Sequence, residues 1–192
     1  MRRMAPAAVA VAVAIALAGC GGSGEPAAVS EVPTPSTTAS TVPTSTTLSR
    51  AEIEQAVLAA YLDGWAAYAA ANDPADPTFP GLEATMTGPA LAKAVDSVAA
   101  FQASGRVGRF PEDSIAEHRA EVVSVSGDRA TVRDCSIDDG QIVIAATGEV
   151  VNDVVATHLF EASMVRDGDR WKVESLNLAD RWEGVAGCAT EG

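Results

Sequence analysis

Apolar and polar positions divide the chain into three regimes. Residues 5–18 carry no charge, residues 21–48 hold hardly a large apolar side chain, and from Leu48 onward apolar residues recur at regular intervals. In the third regime Ile53, Val57, Ala60, Tyr61, Gly64, Trp65 and Tyr68 follow the three-and-four spacing of a helix buried along one stripe. Ser49, followed three residues later by Glu52, forms a capping-box pattern, and Leu48 is placed to staple the start. A first helix over about 50–71 is therefore expected, ended by the prolines between residues 72 and 81. A second helical stretch starts at Gly81 and breaks at Gly88 and Pro89. Pro89 suits the first turn of a new helix running to Ser104, with Leu91, Val95, Val98 and Phe101 as its buried stripe.

Beyond Gly105 the period changes to two. Val123 and Val125 mark one strand and Ala130 and Val132 the next, joined by a turn at Ser126, Gly127 and Asp128. Residues 138–151 read as a short strand between two turns, and residues 154–182 as two long strands around Asp167, Gly168 and Asp169. Helices first and an antiparallel meander afterwards predict an α+β domain, with the helices covering one face of a curved sheet.

Charge narrows the function. The 192 residues include 13 basic and 26 acidic side chains, for a formal charge of −13. Nucleic-acid affinity comes largely from Lys and Arg displacing counterions, so a nucleic-acid partner is set aside.

The first regime fixes the compartment. Its apolar run falls short of the roughly 20 residues a spanning helix needs, and Pro6 interrupts it. Arg2 and Arg3, then the apolar run, then small residues make up an export signal. Leu17, Ala18, Gly19 and Cys20 resemble the lipobox of bacterial lipoproteins. That resemblance implies cleavage before Cys20 and a diacylglycerol on its sulfur. Two or three acyl chains anchor stably where one holds only marginally. Residues 1–19 are thus expected to be a lipoprotein signal peptide, and the mature protein to sit on the outer face of the cell membrane. Its charge would be −15, from 11 basic against 26 acidic side chains.

Residues 20–48 then form a disordered linker. Its Gly, Ser, Thr and Pro cannot bury enough surface to offset the entropy of ordering. As a flexible coil its length would be roughly 30 Å end to end, and about 85 Å as extended polyproline. The same composition occurs in glycosylated stalks and in plain spacers.

Residues 49–192 are the folded domain. Residues 129–140 and 146–151, then 165–188 with its Asp-Arg-Trp-Lys-Val run, resemble the extracytoplasmic nuclear-transport-factor-2-like domains of actinobacterial lipoproteins. The resemblance implies a cone-shaped fold whose wider superfamily includes ketosteroid isomerases, dehydratases and non-catalytic partners. Such domains commonly carry a Cys after the second strand and another in the tail. With Cys20 lipidated, Cys135 and Cys188 remain as an even pair in an oxidising compartment, and a disulfide between them is expected.

Enzymes of that superfamily place an Asp or His in the cone as general base, where burial moves its pKa toward working pH. If Val132 faces the core, alternation brings Asp134 to the same side and turns Cys135 away. If Phe160, Ala162 and Met164 face inward, His158 joins them. Asp134 and His158 are accordingly the catalytic candidates, each with a plainer reading as a hydrogen-bonded structural group. Tyr61, Trp65 and Trp171 are the pocket candidates, with helix-to-sheet packing as the plainer role of Tyr61 and Trp65. His118, set among charges, reads as solvated.

No metal site or cofactor is expected: Asp138 and Asp139 before Gly140 resemble a tight turn, with too few oxygen ligands for calcium. The sequence reading is a membrane-anchored envelope lipoprotein whose domain binds a small apolar ligand or an envelope protein. The alternative is an isomerase or dehydratase using Asp134 or His158, and a third reading is a tethered homodimer meeting through the convex sheet face. An exposed Trp182 beside the tail would favour a protein partner.

Overall fold

The computed structural model describes residues 48–188. The signal segment, Cys20 and the linker before Leu48 lie outside the described residues. Three helices precede seven strands, an α+β arrangement.

Helix α1 spans Arg50–Asn72 and begins as its pattern dictates. The Ser49 hydroxyl accepts from the Glu52 backbone N–H, and the Glu52 carboxylate accepts from the Ser49 N–H at 2.7 Å. Both are donors that a helix start would otherwise leave unpaired. Val57, Tyr61 and Gly64 are its buried stripe, with Trp65 and Tyr68 half-buried beside them. Helix α2 (Pro80–Thr85) is a short turn, and α3 (Gly88–Ala103) carries Pro89 in its first turn. The most buried line of α3 is Ala90, Ala94 and Val98, so the helix is rotated from the expected stripe and Leu91 and Val95 pack at its flank.

The strands form two antiparallel sheets. Strands β1 (Arg106–Arg109), β4 (Gln141–Ile144) and β5 (Val150–Asn152) make a small one in the order β1-β4-β5. Strands β2 (Glu117–Ser126), β3 (Arg129–Asp138), β6 (Ala156–Asp167) and β7 (Arg170–Glu183) make the main one in that order. The β2–β3 and β6–β7 turns place Gly127 and Gly168 at φ of 58° and 65°, a region costly for side chains with a Cβ.

A bulge in β2 between Val122 and Ser124 resets its alternation. Val122 and Val125 both pack on the core, while Val123 is 57% exposed. Two further register shifts, at Leu159/Phe160 and Ser163/Met164, interrupt the β6–β7 pairing.

The core lies between the helices and one face of the main sheet, around Val57, Leu82, Val98, Val132, Met164 and Val173. Gly64 lets α1 approach β7: a Cβ there would stand 3.1 Å from Val173 Cγ2. The start of α3 is stitched to the same strand, since Thr87 N–H donates to the Val173 carbonyl at 2.9 Å. Trp171, expected at a pocket, is instead part of this core.

Cys135 points away from the core face and is joined to Cys188 by a disulfide, with Cα atoms 6.0 Å apart. The tail is held further by the Thr157 hydroxyl donating to the Gly184 carbonyl at 2.7 Å. Gly187 lies against Thr157 and Trp182, which leaves Trp182 half-buried beneath the tail and not exposed beside it.

Candidate functional site

Between α1, α3 and the β6–β7 face is a cavity of about 210 Å³. Helix α1 contributes Tyr61, Gly64, Trp65 and Tyr68; β6 and β7 contribute Phe160, Val173 and Leu176. Met86 precedes α3, which adds Ala90 and Ala94, whose short side chains leave the space open. Polar atoms are few: Lys93, Ser97 and the Tyr68 hydroxyl, which lies 2.8 Å from Ser97 Oγ. The volume is below the roughly 300–1,000 Å³ of pockets for drug-sized ligands. It exceeds the roughly 150 Å³ apolar cavity that takes up benzene in another protein.

Behind the wall formed by Tyr61 and Trp65 sits a polar cluster. Asp134 is at the centre of the main sheet with no solvent exposure. Its Oδ2 accepts from the Tyr61 phenol at 2.9 Å and lies 2.6 Å from His118 Nδ1. His118 is carried by β2, keeps its side chain 30% exposed, and stacks at 5.2 Å on the Trp65 ring. Burial and the neighbouring Asp134 charge push the Tyr61 phenol well above its ordinary pKa. The Trp65 indole N–H lies close enough to oppose that weakly, yet forms no hydrogen bond. The second carboxylate oxygen, Oδ1, is buried without a partner among the described residues.

The inward face of β3 carries Ala130, Val132, Asp134 and Ser136, the expected alternation. His158 shares a face with Phe160, 5.5 Å between ring centres, but it neither meets Asp134 nor lines the cavity. Burial lowers its pKa; Arg181 across the strand pair adds to this and Asp138 opposes it. The imidazole that reaches Asp134 is His118, which is exposed as expected and also makes this contact, which the sequence reading did not foresee. With the β2 bulge in place, His118, Ala120 and Val122 alternate inward together, whereas alternation drawn back from Val123 turns His118 outward.

Neither Asp134 nor His118 lines the cavity, and Trp171 does not either. Tyr61 and Trp65 do, and they are the residues shared by cavity and cluster. Among the described residues no group of His, Cys, Asp and Glu is arranged to hold a metal ion, and no helix is long and apolar enough to cross a membrane.

No protein-family model matches the chain, and no curated protein matches it. Among solved structures it is similar to the crystal structure of the intermembrane space region of chloroplast protein ARC6. The TM-score is 0.51 at 16% identity, over 65% of this chain and 95% of that one. At such identity the likeness concerns the fold alone.

Proposed function

We propose that this chain is a lipid-anchored envelope protein whose domain, a nuclear-transport-factor-2-like cone, holds a small apolar ligand without transforming it. The apolar cavity beside α3 carries the reading: Ala90 and Ala94 leave it room, and aromatic side chains wall it. A general base must come within hydrogen-bond reach of the proton it removes. Asp134 is enclosed, spends Oδ2 on two partners and stands behind Tyr61 and Trp65. The anchor at Cys20 lies outside the described residues and rests on the Leu-Ala-Gly-Cys sequence.

One observation favours the enzymatic alternative, with His118 in the place given to His158. A buried carboxylate on Nδ1 orients an imidazole and leaves Nε2 for proton transfer, the logic of acid–base dyads. One experiment addresses both readings. The intact protein and its His118→Gln variant are recovered from membranes, and the small molecules they retain are identified by mass spectrometry. Binding alone predicts the same molecule in both. A compound that accumulates only with the variant would mark turnover and replace the binding reading. No retained molecule in either, together with no thermal stabilisation by p-xylene, would remove the cavity from consideration.

A further inference from the structure

We infer that the cavity takes a short apolar chain ending in a carboxylate, with the head group at Lys93; this deepens, and rests on, the reading of the cavity as a ligand site. Helix α3 turns Ala90, Lys93, Ala94 and Ser97 toward the cavity, a three-and-four spacing that places them on one stripe. Lys93 and Ser97 are one turn apart on α3, and Ser97 is bonded to the Tyr68 hydroxyl. Trp65, Met86, Phe160 and Leu176 provide the apolar remainder.

Lys93 is the charged side chain among the lining residues, and it joins no ion pair among the described residues. Acidic side chains outnumber basic ones by 26 to 13, yet no carboxylate lines this cavity. An exposed ammonium among the lining residues offers donors to an anion. One cation within a strongly negative molecule suits a single negative charge better than a phosphate dianion. Size sets the chain length. A space of about 210 Å³ is of the order of one short chain and well below that of a drug-sized ligand. Octanoate matches head and tail.

The test is equilibrium dialysis of radiolabelled octanoate, 1-octanol and octylammonium against the full chain in lipid discs, with empty discs subtracted. Octanoate should bind about tenfold more tightly than octanol, and octylammonium weakest. Lys93→Glu should remove the preference for octanoate and leave octanol within about twofold. Ala94→Leu, which fills the cavity, should abolish binding of octanoate and octanol alike. If octanol binds as well as octanoate, or Lys93→Glu changes nothing, the head-group inference is wrong while the apolar site stands. If neither binds, or Ala94→Leu leaves both bound, the cavity reading fails with it.

Discussion

At the scale of single residues, the feature that most needs explaining is a carboxylate with no access to water. Burying a charge is costly unless it is paired and hydrogen-bonded, and Asp134 has a phenol and an imidazole on one oxygen. Removing one donor should therefore be felt by the whole fold. Tyr61→Phe is expected to lower unfolding stability by about 1–3 kcal/mol in urea titration. His158 gives a pH dependence of definite sign. Its folded pKa lies below its unfolded one because burial penalises the imidazolium. The unfolded chain thus takes up the proton first, and the stability present above the ordinary histidine pKa is lost as pH falls through that value toward the folded one. His158→Asn should flatten this part of the stability profile between pH 7.5 and 5; an unchanged slope would show that the ring is not the source.

At the scale of elements, agreement between pattern and structure follows how local the determining interactions are. Helix α1 was legible because Ser49, Glu52 and the stripe from Val57 to Tyr68 act within one segment. The inward place of Asp134 was legible because the bulge lies in β2, and β3 itself alternates strictly from Ala130 to Ser136. What escaped was set by tertiary contact. The β2 bulge exchanges Val123 for Val122 on the core face and carries His118 to Asp134, and no residue of the 117–126 segment announces it. In α3, the rotation toward Ala90 and Ala94 accompanies a contact far apart in sequence, the Thr87 N–H donating to the Val173 carbonyl at the start of the helix. Trp171 was assigned to a pocket on its aromatic character, but its strand position puts it in the core.

The tail is the element most dependent on a single covalent link. Cys135 and Cys188 close a loop spanning 53 residue steps. The chain-entropy model gives about 4 kcal/mol for such a loop. Cys135→Ser/Cys188→Ser should reduce stability by that order in denaturant titration. The tail segment 184–188 should lose hydrogen-exchange protection before the main sheet does. Simultaneous loss in both would mean that the tail is integral to the sheet and not pinned onto it.

At the scale of the whole molecule, the proposed reading joins a lipid anchor read from the Leu-Ala-Gly-Cys sequence to a domain with an apolar cavity. The excess of acidic over basic side chains, 26 to 13, is the sequence feature that weighs against a nucleic-acid partner. Within the domain the division of labour is between a cavity that is apolar and roomy and a cluster that is polar and closed. Tyr61 and Trp65 belong to both.

Native mass spectrometry of the intact chain, released from its own membranes, tests this account most directly. It should show a polypeptide beginning at Cys20 and carrying a diacylglycerol, with a small non-covalent ligand that the Ala94→Leu variant lacks. An unlipidated chain that retains Met1 and carries no bound molecule would contradict both the anchor and the pocket.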